Sequence, residues 1–226
     1  MSLKRFSFAL FDFDGVIVDS EPLRLDTYKT LFNEIYEKDV KIDRLRMVGK
    51  PESYNLKELL KQNNLDYNKD TLLFLKKQRS KILIEEAKKK LPIIRNINYI
   101  INSLSSLNIP MGIVTNSSRN YIHTVMHALK MNINDFHIVS RDNVSKPKPD
   151  PQGYMIAIKE MNVSKKKGLA FEDSKNGLEA IKSSSSSLST AAVLSTYSKA
   201  ELDAEFYIKP ELDLMEAKNL ISLFGA

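Results

Sequence analysis

The chain has 226 residues and an excess of basic side chains, with 34 Lys and Arg against 28 Asp and Glu and a net charge of +6. It contains no cysteine, which excludes disulfide bonds, thiolate metal sites and a cysteine nucleophile. The length suits one large domain or a core domain with a smaller companion, and the basic charge favours an anionic partner, either nucleic acid or a small phosphorylated molecule.

The first apolar run of the chain, residues 6–11, does not have the form of a secretion signal. It is shorter than the hydrophobic region of a signal peptide, ends at Asp12 and lacks a cleavage site of small residues. No segment approaches the roughly 18 to 20 apolar residues that a membrane span requires. We therefore expect a soluble, cytoplasmic protein that has no membrane partner, and we expect it to be a monomer.

Short apolar segments bounded by turn-forming residues predict buried β-strands in six places. Most of these segments are continuously apolar rather than alternating, as expected for strands of a parallel sheet that is covered on both faces. The predicted strands lie at residues 6–12, 110–115, 137–140, 168–171, 191–194 and 205–208.

From residue 94 onward, segments with helical apolar spacing alternate with the last five predicted strands, and one more follows the last strand. This alternation predicts an α/β fold with a Rossmann-like three-layer core and a parallel sheet joined by right-handed crossovers. The run of five serines at residues 183–187 is predicted to form a loop after a helix. The predicted helices of this part lie at residues 94–107, 120–129, 151–161, 175–181 and 211–223.

The region after the first predicted strand breaks the alternation. Its apolar residues have helical spacing at 23–35, 52–62 and 71–89, and no convincing strand lies among them. We predict an all-α insertion over residues 20–90, within a core made of residues 1–19 and 91–226.

Two carboxylates, Asp12 and Asp14, stand close together at the end of the first predicted strand, and Gly15 follows them. The carboxyl ends of strands are where an open α/β sheet binds its ligands. A turn that caps the strand would explain one aspartate easily, but it explains two aspartates and a glycine less well. The pair therefore favours a functional site.

Three more polar segments follow predicted strands. They contain Thr115 and Asn116, a proline-rich stretch that starts at Lys146, and the acidic pair Glu172 and Asp173. Taken alone, each segment is explained about as well by a helix cap or a structural turn as by a functional role. Because all of them follow carboxyl ends of predicted strands, together they predict one shared site at that edge of the sheet.

Taken together, these segments resemble the four motifs of the haloacid dehalogenase-like phosphohydrolase superfamily. They read FDFDGVIVDSE, VTNSS, SKPKPD and FEDS. The resemblance covers nearly the whole chain, and the motif forms are similar to those of the branch that holds β-phosphoglucomutase and many small phosphatases. It implies that the all-α insertion is the small helical cap domain of that family, which selects the leaving group.

The resemblance implies a Mg²⁺-dependent phosphatase that hydrolyses a small phosphate monoester through an aspartyl-phosphate. Asp12 would be the nucleophile, and Asp14 would protonate the leaving alcohol and then activate water. Catalytic Thr115 and Lys146, with the substrate-binding amide of Asn116, would hold the phosphoryl oxygens. Dehalogenases of the superfamily lack the second aspartate, so Asp14 favours phosphoryl transfer.

The implied cofactor is Mg²⁺, which prefers oxygen ligands. Its ligands would be the Asp12 carboxylate, the Asp14 backbone carbonyl and Asp173, with Glu172 either binding directly or lying behind them. Gly49 and Lys50 of the insertion are predicted to contact the substrate.

A phosphosugar mutase resembling β-phosphoglucomutase is the alternative within the same family. Mutase-like members often carry a histidine where this chain has Arg24, and their basic cap residues are not clearly matched here. Both departures favour hydrolysis over mutation.

Two alternatives come from other classes of protein. A phospho-accepting receiver domain is much shorter and accepts phosphate on a later strand, which disfavours it. A nucleic-acid-binding protein is disfavoured because the chain has no finger motif and no basic stripe interleaved with aromatic residues. The expected partner is therefore a small phosphorylated metabolite rather than nucleic acid.

Overall fold

The computed structural model describes residues 5–48, 52–89 and 91–225. The chain forms two compact units, of which one combines Met1–Asp19 with Pro92–Ala226 and the other is Ser20–Leu91. We call them the core unit and the helical unit.

A parallel β-sheet forms the centre of the core unit. Within the described residues it has six strands joined through helices, so the predicted α/β fold with a Rossmann-like core is confirmed. The strands are β1 (Phe8–Phe11), β2 (Met111–Val114), β3 (Phe136–Val139), β4 (Gly168–Glu172), β5 (Leu188–Val193) and β6 (Phe206–Ile208).

Nine α-helices lie in the described residues, the first four in the helical unit and the other five in the core unit. None of these helices combines the length and the apolar character that crossing a bilayer requires. They are α1 (Glu21–Tyr36), α2 (Arg44–Met47), α3 (Glu52–Gln62), α4 (Lys69–Lys89), α5 (Arg95–Ser106), α6 (Arg119–Ala128), α7 (Gln152–Glu160), α8 (Lys175–Ser184) and α9 (Leu214–Ser222).

The central strands are buried because they carry apolar side chains on both faces of the sheet. Every residue of β1 and β2 is buried. Between β1 and β4, the ring of Phe11 stacks on that of Phe171 with centroids 4.7 Å apart. The continuous apolar runs of the sequence therefore correspond to strands covered on both sides.

The strand order β3-β2-β1-β4-β5-β6 changes direction at β1. From β1 the chain runs outward to β2 and β3 and then returns to β4 on the other side of β1. In open parallel sheets, ligands bind at the carboxyl ends of the strands beside such a point. Phe11 pairs with Phe171, so Asp12 and Glu172 follow side by side on neighbouring strands.

The helical unit has a hydrophobic core of its own. Leu31 and Phe32 of α1, Leu56 of α3 and Leu75 of α4 are fully buried in it. Helices of this length are stabilised mainly by packing an apolar face rather than by their own propensity.

Arg79 of α4 is buried in the helical unit. Its Nη1 lies 2.7 Å from Glu52 Oε1, its Nη2 donates to the carbonyl oxygen of Arg24 at 2.6 Å, and its guanidinium stands 3.8 Å from the ring centroid of Tyr28. We expect Arg79→Ala to lower the free energy of unfolding by about 2 kcal/mol or more, because it removes all three interactions. Denaturant unfolding measures this loss, and Lys77→Ala, at an exposed position on the same helix, is the control. Equal stability of the two variants would contradict the prediction.

Candidate active site

Three carboxylates meet at the carboxyl ends of β1 and β4. Asp12 directly follows β1, and its backbone N–H donates to the carbonyl oxygen of Phe171 at 2.9 Å. Carboxylate oxygens of Asp12, Glu172 and Asp173 all lie within 4.8 Å of one another. The structure therefore brings together these three of the predicted site residues.

Gly15 shapes the turn that follows Asp12. Its φ of +76° lies in the left-handed region, which side chains rarely adopt. A Cβ at this position would also overlap the carboxylate of Asp173. Glycine is therefore required both by the backbone and by the close approach of the two acidic segments.

Burial disfavours the ionised form of the acidic side chains at this point. It raises the pKa of Asp12 to about 7, with the carboxylates of Glu172 and Asp14 adding to the effect and Lys148 opposing it. Burial, followed by Glu172 and Asp12, also raises the pKa of Asp173 well above its usual range. The Oδ1 atom of Asp12 is buried and, within the described residues, its polar contact is an ion pair with Lys148 rather than a well-aligned hydrogen bond.

Lys148 is the lysine that the structure places in this cluster. Its side chain is 7% exposed, and its Nζ lies 2.6 Å from Glu172 Oε1 and 3.1 Å from Asp12 Oδ1. Burial alone would lower the pKa of Lys148, but the charges of Asp12 and Glu172 outweigh it and raise this pKa well above its usual value. Lys148 therefore remains a cation against the two carboxylates.

The prediction for Lys146 is corrected by this geometry. The Lys146 side chain is 74% exposed and lies 3.8 Å from Asp150. Its backbone N–H donates to Gln152 Oε1 at 2.9 Å, whereas the backbone N–H of Lys148 donates to Asn116 Oδ1 at 3.0 Å. The loop is thus anchored so that its second lysine, not its first, reaches Asp12.

The sequence has two lysines in this loop, and their spacing does not show which of them enters the site. Lys-Pro occurs twice in the segment, at Lys146-Pro147 and again at Lys148-Pro149. The second pair stands nearer to α7, which begins at Gln152. The burial and the contacts of the two side chains in the folded loop distinguish them.

Thr115 and Asn116 lie at the carboxyl end of β2, next to β1. Thr115 is buried, and its Oγ1 accepts a hydrogen bond from the backbone N–H of Ser117 at 3.1 Å. Asn116 is exposed and holds the loop of Lys148 through the contact described above. Both residues are therefore at the edge of the sheet where the sequence placed them.

Asp14 is held by two hydroxyl groups that the sequence reasoning missed. Ser117 Oγ donates to Asp14 Oδ2, and the Tyr121 hydroxyl donates to Asp14 Oδ1 at 3.2 Å. Ser117 stood within the VTNSS motif, so a signal for it was present. Tyr121 belonged only to a predicted helix, and nothing in its spacing pointed to Asp14.

Glu172 is fully buried and organises the turn after β4. Its Oε2 accepts hydrogen bonds from the backbone N–H groups of Asp173 and Ser174, at 2.9 and 3.0 Å, and from Ser174 Oγ at 3.0 Å. A Cβ at Gly177 would overlap this carboxylate. Glu172 thus holds the turn and Lys148, which makes it better suited to position the site than to bind an ion directly.

The loop after β5 adds two more contacts that the sequence did not indicate. Thr196 Oγ1 donates to Asp173 Oδ2, and Ser195 Oγ donates to the carbonyl oxygen of Gly15 at 2.5 Å. These hydroxyls tie the loop to both acidic segments of the site.

The predicted substrate residues of the insertion, Gly49 and Lys50, lie outside the described residues.

Comparison with known proteins shows which family has this arrangement. A model of the haloacid dehalogenase-like hydrolases matches residues 9–192. A phosphorylated carbohydrates phosphatase of Thermotoga maritima is 29% identical over 180 residues, which cover 77% of this chain and 79% of the relative. The β-phosphoglucomutase of Bacillus subtilis is 30% identical over 185 residues, which cover 77% and 78% of the two chains.

A solved structure of a related protein has the same fold as this chain. A crystal structure from Thermotoga maritima, provisionally assigned as a β-phosphoglucomutase, superimposes with a TM-score of 0.78 at 26% identity and covers 96% of this chain and 98% of its own.

The chain belongs to the haloacid dehalogenase-like hydrolase family. Its relatives place it in the branch that holds β-phosphoglucomutase and small phosphatases. The prediction of an enzyme of this family is thereby confirmed at the level of family and enzyme class.

Proposed function

We propose that the protein is a Mg²⁺-dependent phosphatase that hydrolyses a small phosphate monoester through an aspartyl-phosphate on Asp12. The observation that carries the proposal is the buried Asp12 carboxylate at the point where the strand order changes direction, 3.1 Å from the Lys148 ammonium group. Asp14 stands two residues further on, where it can exchange protons with the reacting oxygens. The phosphatase relative supports the same class of reaction.

The first chemical step forms a bond between a carboxylate oxygen of Asp12 and phosphorus. The bond between phosphorus and the alcohol oxygen of the substrate breaks, and Asp14 gives that oxygen its proton. The ammonium group of Lys148 offsets the negative charge that collects on the phosphoryl oxygens and on Asp12. The Thr115 hydroxyl and the Asn116 amide are positioned at the same edge of the sheet to bind those oxygens.

The second step releases phosphate. A water molecule attacks phosphorus while Asp14 takes one of its protons, and the bond to the Asp12 oxygen breaks. Asp12 is thereby restored as a carboxylate and Asp14 as an acid, so one turnover consumes one water and yields an alcohol and inorganic phosphate.

The donor atoms at the site fit a magnesium ion. They are oxygens of Asp12 and Asp173. Burial and neighbouring negative charges raise the pKa of both carboxyl groups. A divalent cation would offset this repulsion between the carboxylates. We propose that these two carboxylates and the Asp14 backbone carbonyl hold Mg²⁺. The ion would supply charge neutralisation of the substrate phosphate and of the attacking carboxylate.

Removal of divalent metal should abolish turnover. We expect a chelator such as EDTA to lower the rate of phosphate release by about 10²-fold or more, and added Mg²⁺ to restore it. Asp173→Asn should raise the Mg²⁺ concentration needed for half-maximal activity, whereas Asp203→Asn, an exposed acid paired with Lys182, should leave it unchanged. Hydrolysis that continues at full rate in EDTA would contradict the role of Asp173.

We further propose that the helical unit is the cap domain of this family and that the substrate is a small phosphorylated metabolite. The relative named for phosphorylated carbohydrates makes sugar and polyol phosphates the first compounds to test. A screen of phosphate monoesters, measured by released phosphate, identifies the substrate class.

A phosphosugar mutase is the second candidate, supported by the 30% identity to a β-phosphoglucomutase. The two activities differ in whether water or a second sugar hydroxyl accepts the phosphoryl group. Incubation with β-glucose 1-phosphate and its bisphosphate separates them. Phosphate release that outpaces isomerisation supports the phosphatase, and the reverse order supports the mutase.

A further inference from the structure

Both carboxylate oxygens of Asp14 are engaged by hydroxyl groups from another part of the core unit. Ser117 Oγ donates to one oxygen, and the Tyr121 hydroxyl donates to the other at 3.2 Å. Ser117 is 7% exposed and Tyr121 is 3% exposed, so both contacts are largely shielded from water. The two hydroxyls therefore restrict the orientation of the Asp14 side chain.

The position of the Tyr121 ring is itself well determined. Tyr121 lies in the first turn of α6, where its backbone N–H donates to the Oγ of the capping residue Ser118 at 3.3 Å. Its ring meets that of Phe13 edge to face, with centroids 6.0 Å apart and planes at 85°. The helix start and the aromatic contact together fix where the hydroxyl points.

Hydroxyl groups suit a residue that must both give and take a proton. Each hydroxyl can donate to an ionised carboxylate and can accept from a protonated one, which ammonium, guanidinium and amide N–H groups cannot do. In the proposed reaction, Asp14 passes through both states in every turnover. Ser117 and Tyr121 can hold it in one place throughout.

We propose that Tyr121, together with Ser117, is a positioning residue that orients Asp14 toward the oxygen of the leaving alcohol. The inference rests on the proposed function, because it assigns Tyr121 a part in the proton transfer that Asp14 performs. It predicts that loss of the Tyr121 hydroxyl lowers kcat/KM more for a substrate whose leaving group must be protonated than for one whose leaving group needs no proton.

The test compares two substrates that differ in this need. The leaving group of an alkyl phosphate is an alcohol, whose oxygen must receive a proton. The leaving group of p-nitrophenyl phosphate is a stable phenolate, which needs none. The value of kcat/KM covers only the steps up to departure of this group, so it isolates the first proton transfer. We expect Tyr121→Phe to lower the ratio of kcat/KM for an alkyl phosphate to that for p-nitrophenyl phosphate by about tenfold. The alkyl phosphate used is the best one found in the substrate screen.

Control variants separate positioning from general damage. Tyr121→Phe keeps the ring against Phe13, and Tyr99→Phe, a tyrosine of α5, should leave the ratio unchanged. Ser117→Ala should lower the ratio in the same direction and serves as the second variant if Tyr121→Phe proves unstable by its melting temperature. An unchanged ratio in Tyr121→Phe, or in Ser117→Ala if Tyr121→Phe is unstable, would overturn the inference, with or without an equal loss on both substrates.

Asp14→Asn distinguishes failure of the inference from failure of the proposed function. It should lower the same ratio by more than Tyr121→Phe does, because it removes the proton donor itself. If Asp14→Asn leaves the ratio unchanged, or if the unmodified enzyme hydrolyses neither substrate, the proposed function fails and the inference falls with it. If Asp14→Asn lowers the ratio and Tyr121→Phe does not, only the inference is wrong.

Discussion

Replacing Asp12 with asparagine should lower kcat for phosphate monoester hydrolysis by about 10³-fold or more. The neutral amide of asparagine cannot take the place of the carboxylate that attacks phosphorus. Asn has nearly the shape of Asp, so the turn at Gly15 and the packing of β1 should be retained. Initial rates of phosphate release, with circular dichroism and the melting temperature to confirm folding, measure the effect.

The matched control for this variant is Asp203→Asn. The Asp203 side chain is 97% exposed, and the residue lies outside the cluster of Asp12, Glu172 and Asp173. It should keep the activity of the unmodified enzyme. An Asp12→Asn enzyme that keeps activity within about tenfold of the original would refute the assignment of the nucleophile.

Removal of the Lys148 ammonium group should lower kcat/KM by about 10²- to 10³-fold. The variant of choice is Lys148→Met, because it keeps an aliphatic stem near the Tyr154 ring, whose centroid lies 5.0 Å from Lys148 Nζ. The loss follows because Asp12 and Glu172 then face each other without the ammonium group that pairs with both of them, and the transferred phosphoryl group loses the positive charge of Lys148. Steady-state kinetics over a range of substrate concentrations gives kcat/KM for each variant.

Lys146→Met is the matched control, since it removes the same charge from the same loop. Its side chain is mostly exposed, so we expect kcat/KM to change by no more than about threefold. A severe loss in Lys146→Met with little effect in Lys148→Met would reverse the correction and restore Lys146 to the site. A melting temperature for both variants shows whether either loss arises from unfolding.

The fold could be predicted from the sequence because its central strands are continuously apolar. The boundaries were less accurate where polar residues enter a strand. β5 begins at Leu188, three positions before the predicted start, and includes Ser189 and Thr190. Thr190 Oγ1 accepts from the backbone N–H of Glu205 and Ser189 Oγ donates to Glu205 Oε2, so tertiary partners satisfy these hydroxyls.

The serine run illustrates the same limit. The predicted loop of residues 183–187 is partly helical, because α8 continues through Ser184. Ser184 Oγ donates to the carbonyl oxygen of Ile181 at 2.7 Å, which the helix itself makes possible. Composition alone does not reveal this local hydrogen bond.

The convergence of Asp12, Glu172 and Asp173 was predictable, because these acidic residues stand at the carboxyl ends of predicted strands. Contacts that reach the site from residues elsewhere in the chain were not predictable. Tyr121 reaches Asp14 across 107 positions, and Thr196 reaches Asp173 from the loop after β5. Such contacts depend on the order of strands in the sheet, which local patterns do not specify.

The covalent intermediate on Asp12 is the most direct test of the proposed reaction. In Asp14→Asn the base that activates water is missing, so the phosphorylated enzyme should accumulate when it is mixed with a substrate whose leaving group needs no proton, such as p-nitrophenyl phosphate. Acid quenching followed by peptide mass spectrometry should find one phosphoryl group on Asp12. Borohydride reduction should convert the phosphorylated aspartate to homoserine at the same position. Phosphoryl found on another residue, or turnover of this substrate with no phosphorylated peptide, would contradict a reaction through Asp12.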